Sequence, residues 1–159
     1  MNPDLYKSGF VQRWHTHPVL ARAGQTLGHH QWGVVTIIAA LHPCPSAELL
    51  MSAMWHDVGE FVSGDMPYEA KRNNPTLSYE LGKVEDRARR KLTGAQFLLD
   101  DDDKSWIELA DRLEAYLYVQ TVAPQILCDD DWMECMDHIF EMADELGIYD
   151  EVAEMVDAT

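Results

Sequence analysis

The chain has 159 residues, 47% of them apolar and 25% charged, which suits one folded domain over residues 1–159 and excludes a wholly disordered polymer. Twelve basic residues stand against 28 acidic ones, for a formal charge of −16. That balance excludes a duplex nucleic-acid binder, which needs a basic face for its phosphate contacts.

Glycine and proline fall between stretches of helical periodicity, and apolar alternation of period two is nearly absent, so the fold class is all-α, a helical bundle. The first long helix spans 27–42, with Trp32, Val35, Ile38, Ala39 and Leu41 as apolar positions, and stops before Pro43. Ser46 caps a second helix, which carries Leu49, Leu50, Ala53, Met54, Asp57 and Phe61 as far as Gly64. Thr76 caps a third, with Leu77, Leu81, Val84, Ala88 and Leu92 at helical spacing. A fourth covers 104–122, a fifth 131–146 closed by Gly147, and a short sixth 149–156. The acidic runs Asp100–Asp103 and Asp129–Asp131 each precede a helix, where carboxylates cap free N–H groups and favour the dipole. A calcium loop would want glycine at its sixth position, and Ser105 stands there.

The charge is unevenly spread. Residues 1–99 hold 10 basic and 9 acidic residues, whereas residues 100–159 hold 2 basic and 19 acidic ones. A solvated helix face accounts for that acidic third, residues 121–159 included. No apolar run reaches the length of a membrane-spanning helix, so no membrane association is expected. Met1-Asn2-Pro3-Asp4 lacks a basic segment ahead of an apolar run, so no secretory leader is expected either. Cys44, Cys128 and Cys135 form no CxxC and cannot all pair, which fits reduced thiols in a cytoplasm.

One segment puts three polar residues into an apolar helix: Met54-Trp55-His56-Asp57-Val58-Gly59-Glu60. His56 and Glu60, four apart, share a helical face, and Asp57 is turned about 100° from His56. Such groups are costly to bury without partners, and a divalent metal is the economical partner. A single helical histidine is more often an ordinary core or surface residue. Ligand-type residues recur, however, in neighbouring helices: His30 in the first and Asp111 in the fourth, on a stripe with Ile107 and roughly with Tyr118. Two imidazoles and two carboxylates suit Zn, Co or Mn, with Fe and Mg ranked behind, and do not make a calcium cage.

This order of residues resembles the HD-domain phosphohydrolases, named for an adjacent His-Asp pair in the pattern H…HD…D. His30 matches the first histidine, His56 and Asp57 the pair, and Asp111 the distal aspartate in an Ala-Asp-x-Leu-x-Ala-Tyr-Leu frame. His29-His30-Gln31 stands where the family usually has Glu-His-Ser, so His29 is an alternative first ligand. Within the superfamily the chain looks most like bacterial 5′-deoxynucleotidases. It carries their HDxxE, ending at Glu60, their Gly-Asp-x-Pro at Gly64-Asp65-Met66-Pro67, a downstream lysine at Lys71 and an N-terminal Arg13-Trp14. The resemblance covers roughly residues 10–120.

The resemblance implies metal ligation by His30, His56, Asp57 and Asp111, and catalysis by Glu60 with Asp65 beside the sugar. It also implies substrate binding by Arg13, Trp14, Asp65 and Lys71. A base could stack on Trp14 or on Trp32, although Trp32 reads first as a core residue. His15, His17 and His42 read as surface or loop residues. The short chain and its N-terminal stretch look like small phage enzymes of the same fold, some of which are dATP triphosphohydrolases. The first expectation is therefore cleavage of dATP to deoxyadenosine and triphosphate, in a cytoplasm (a host's, if phage-encoded). Its alternative is a 5′-nucleotidase acting on deoxynucleoside monophosphates, which needs fewer cations. Readings of another class are a non-catalytic nucleotide-binding HD module and a helical interaction protein. A homo-oligomer is also implied, with Met133, Met142, Ile148 and Met155 available to form it.

Overall fold

The computed structural model describes residues 2–158, so Met1, at the head of the segment read for a leader, lies outside them. Among the described residues every regular element is helical. The one β feature among them is an isolated antiparallel bridge between Gln12 and Thr26. The chain divides into two compact units, each built from two stretches. The first comprises everything up to Trp32 together with Met54–Leu98, and the second Gly33–Ala53 together with everything from Leu99 onward.

The second unit takes most of α2 (Leu27–Leu41), then α3 (Ala47–Met54), α7 (Asp101–Val122), α8 (Asp130–Glu145) and α9 (Tyr149–Asp157). Its core is Val34, Ile37 and Ile38 of α2 with Leu49, Leu109, Leu113, Ile139 and Val152. Leu109 and Leu113 are fully buried, so truncation of either to alanine removes about 2–5 kcal/mol. The buried stripe of α2 runs through Val34, Ile37 and Ile38, which turns Ala39 and Trp32 outward. Trp32 is 65% exposed, against its expected place in the core. Met142 and Ile148 lie in the core and are withdrawn from any oligomer face, while Met133 stays exposed. Asp129 precedes α8 without a side-chain cap bond, but Asp100 accepts a bond from the Asp103 N–H at 2.8 Å, as its acidic run predicts. Ser46 does the same for Leu49 at 2.9 Å. Gly147, at φ +72°, supplies the left-handed residue that ends α8.

The first unit carries α1 (Pro3–Ser8), the opening turn of α2, α4 (Glu60–Ser63), α5 (Tyr68–Arg72) and α6 (Pro75–Thr93). Here α4 and α5 pack on α6, and α1 touches α4 and α6. Thr76 lies inside α6 and does not cap it. Asn74 precedes the helix and Pro75 opens it, a position where the missing N–H costs nothing. The second helix of the sequence reading does not run unbroken to Gly64. It stops at Met54, Trp55–Gly59 form turns, and a new short helix starts at Glu60. The interruption follows from packing. A Cβ on Gly59 would stand 2.4 Å from the Glu85 carbonyl oxygen, so only glycine lets this turn lie against α6.

Candidate metal centre

The turn 55–59 is tightened by i→i+3 bonds, among them Glu60 N–H to Asp57 O at 2.9 Å and Phe61 N–H to Val58 O at 3.2 Å. His56 and Asp57 therefore leave a turn and not the face of one helix, and their side chains meet. His56 Nε2 lies 3.2 Å from Asp57 Oδ2. His30, fully buried on the opening turn of α2, brings its Nε2 to 3.3 Å from His56 Nε2 and 3.5 Å from Asp57 Oδ2. His29 is exposed and lies beside Trp32, ring centroids 6.2 Å apart, so His30 is the histidine of the cluster. Arg89, on α6, donates from Nη1 to the His56 carbonyl at 3.2 Å and pairs with Asp86, which pins the turn from behind.

The spacing fits an ion. Donors held about 2.1 Å from one centre stand about 3.0–3.4 Å apart at octahedral or tetrahedral angles. The two Nε2 atoms, and His56 Nε2 with Asp57 Oδ2, fall in that range, and the third pair, His30 Nε2 with Asp57 Oδ2, lies just above it at 3.5 Å. When the rings are neutral both Nε2 atoms can serve an ion as lone-pair donors, whereas a hydrogen bond between the rings uses only one lone pair. Asp57 is pulled in two directions: burial would raise its carboxyl, but the charge of His56 and bonds from both histidines hold it well below the usual range.

Glu60 opens α4 and is buried, with Oε1 at 3.6 Å from Lys71 Nζ on α5 and Oε2 making no hydrogen bond. Burial pushes its carboxyl up to about 8, helped by the charges of Asp57 and Asp65 and opposed by Lys71. At neutral pH Glu60 thus keeps a proton beside the ligand cluster. Asp111 sits part-buried on α7, in the second unit.

Arg13 and Trp14 form a second group in the first unit. The bridge of Gln12 with Thr26, and the Arg13 N–H bond to the Gln25 carbonyl at 2.9 Å, align the two segments. Trp14 has φ +58°, a left-handed backbone unusual for a bulky residue. Two bonds hold it there: Asp65 Oδ2 accepts from the Trp14 N–H at 2.8 Å, and Gln25 Oε1 accepts from its Nε1 at 2.5 Å. Arg13 lies over the Trp14 ring, 5.0 Å from its centroid. Asp65 therefore engages Trp14, a link that motif spacing does not reveal. Gln25 and Arg89 were not legible as site residues, because each acts through a fold contact with a distant segment.

Gly59 yields a direct expectation. Gly59→Ala drives a methyl group into the α6 backbone and should lower the melting temperature, with overpacking of about 1–3 kcal/mol. It should also weaken metal retention, since the turn carrying His56 and Asp57 must shift. Calorimetry with elemental analysis checks both, and an unchanged melting temperature would contradict the packing argument.

The model of the YfbR-like 5′-deoxynucleotidase family matches residues 9–157. A 5′-deoxynucleotidase of Yersinia pestis (strain Pestoides F) is 32% identical over 83 residues, covering 43% of this chain and 42% of that protein. One of Yersinia pseudotuberculosis (serotype O:1b) matches equally. The match thus spans less than half the length of these curated relatives. No solved structure matches the chain. With the His-Asp turn in place and the family match running across nearly all of its length, the chain belongs to the YfbR-like 5′-deoxynucleotidases, an HD-domain family.

Proposed function

We propose that the protein is a metal-dependent 5′-deoxynucleotidase that releases inorganic phosphate from deoxynucleoside monophosphates. The observation that carries the reading is the meeting of His30 Nε2, His56 Nε2 and Asp57 Oδ2 in the unit that also holds buried, proton-bearing Glu60. Family membership supports the phosphohydrolase chemistry, and the relatives' name supports the monophosphate substrate. The triphosphohydrolase expectation rested on chain length and on an N-terminal likeness, and neither the family nor these relatives add to it. In this reading the ion is Zn, Co or Mn, and Asp111 is its fourth ligand on the strength of its motif frame. The family match crosses both units, which supports reading residues 1–159 as one HD domain. Three free thiols suit a cytoplasm, and no helix among the described residues is long and apolar enough to cross a membrane.

Bound there, a divalent ion supplies positive charge to the phosphate and makes a water more acidic. Lys71, beside Glu60, binds a phosphate oxygen and steadies the Glu60 carboxyl. Glu60 holds the proton that the departing 5′ oxygen requires. Arg13 grips a further phosphate oxygen with its guanidinium fork. Trp14, fixed by Asp65 and Gln25, presents a stacking surface, and Asp65 stands on the sugar side.

The test is a panel of all dNMPs and dNTPs, with ribonucleotide controls, in the presence of Co, Mn or Zn and with products separated by chromatography. Phosphate from dNMPs is the expected outcome. Tripolyphosphate from dATP would return the substrate to the triphosphate class. Turnover of neither would leave a nucleotide-binding module.

A further inference from the structure

His56 and Asp57 are adjacent in the chain, so a single peptide unit joins two donors of the cluster. Residues 55–59 form a turn ahead of α4, and a short turn supports a ligand less firmly than a helix does. Its support comes from one face of α6. The Gly59 backbone lies against that of Glu85, and Ser63 Oγ donates to Glu85 Oε1 at 2.8 Å. Arg89 stands one helical turn beyond Glu85 on the same face. It donates from Nη1 to the His56 carbonyl at 3.2 Å and from Nη2 to Asp86 Oδ1. That carbonyl belongs to the peptide that links His56 to Asp57. The six atoms of the unit are coplanar and include both α-carbons. A bond that holds the direction of the C=O therefore restrains ψ of His56 and φ of Asp57 together.

We propose that Arg89 is a positioning residue of the metal centre: it holds the plane of the His56–Asp57 peptide and thereby sets the affinity for a divalent ion. The proposal rests on the reading of this cluster as a metal centre. One guanidinium bond keeps His56 Nε2 and Asp57 Oδ2 at the spacing that His30 Nε2 completes. Asp86 orients the guanidinium from the solvent side. The Arg89 side chain is 39% exposed and that of Asp86 53%, so their pairing adds little to folding stability. The cost of losing Arg89 falls instead on the ion. Partners that orient metal ligands characteristically change metal affinity by about 10–100-fold.

The test is Co binding to the chelated full chain, measured by competition with a chromophoric chelator. Arg89→Met keeps much of the side chain's length and removes its donors, whereas Arg89→Lys keeps a charge and a donor but loses the fork. The Kd for Co should rise about 10–100-fold in Arg89→Met and by less in Arg89→Lys. Asp86→Asn should shift it in the same direction by a smaller factor, and it decides the matter if Arg89→Met does not fold. Arg90→Ala, exposed on the same helix, should bind Co as the wild type does. Thermal melts with and without Co separate positioning from mere support of the fold. Support alone would lower both melting temperatures in parallel. Positioning leaves the metal-free melting temperature of Arg89→Met within a few degrees of wild type and shrinks the rise that Co brings. Equal Co affinity in wild type, Arg89→Met and Asp86→Asn would overturn the proposal, as would a parallel drop of both melts. A wild type that takes up no Co would overturn the metal centre and this role with it. A wild type that binds Co but hydrolyses no dNMP would instead defeat the proposed activity and leave the role of Arg89 standing.

Discussion

His56→Ala and Asp57→Ala are expected to purify without a transition ion and without phosphatase activity, where the wild type carries about one ion per chain. The expectation rests on geometry. Each substitution removes one of three donor atoms that stand 3.2–3.5 Å apart in pairs. What remains is the other two donors of this cluster together with the proposed fourth ligand, Asp111, and the weakened set is expected to lose the ion during purification. The same variants separate ligation from structure, because metal-free wild type provides the reference for stability. Loss of a ligand should bring the melting temperature down to that of chelated wild type, since an ion bound only by the folded chain stabilises it by mass action. His29→Ala, one residue from the buried ligand, should keep its ion, because His29 is exposed and lies beside Trp32. Elemental analysis decides the matter. Wild-type protein that holds no ion and cannot be reconstituted would remove the metal centre from the reading.

The long helices were legible because burial and periodicity coincide in them: α7 buries Trp106, Leu109, Ala110, Leu113 and Tyr116 at helical intervals, and Asp100 caps it. The break at Met54 was not legible. His56, Asp57 and Glu60 stand at spacings that a continuous helix would also satisfy, and the reason for the break is the backbone of Glu85, 26 residues beyond Gly59. Trp32 was misplaced for a related reason. The buried stripe of α2 is set by which neighbours it meets, and apolar residues are too dense along that helix to mark one face by themselves. At the candidate site, motif spacing singled out His30, His56, Asp57 and Glu60, whose chemistry is rare inside a helix-rich chain. It missed Gln25, an uncharged residue whose part comes only from the alignment of residues 11–13 with 25–27. It also missed Arg89, which reaches the His56 carbonyl from α6. Residues that act on a reacting group carry unusual chemistry, and residues that hold them in place need not.

Glu60→Gln is expected to keep the ion and lose about 10²–10⁴ in kcat, the usual size of proton-transfer assistance. Glutamine preserves the volume and one acceptor but holds no transferable proton. Burial in the company of Asp57 and Asp65 raises the Glu60 carboxyl from 4.5 to about 8, so the wild type holds that proton at neutral pH. A second consequence concerns stability in metal-free protein. Between about 4.5 and 8 the unfolded chain has released this proton while the folded chain keeps it. The unfolded state then binds fewer protons, so stability falls as pH rises through that window and levels off above it. Asp57 acts in the opposite sense. Its lowered carboxyl contributes stability that is present above its ordinary value of 3.8 and is lost as pH falls below that, outside the window. Thermal melts of chelated wild type from pH 5 to 8 should therefore show a declining melting temperature, and Glu60→Gln should flatten the decline. A flat wild-type profile, or an equal slope in the variant, would show that Glu60 does not hold the proton. Full activity of Glu60→Gln would take the residue out of the mechanism, and loss of the ion would make it a ligand.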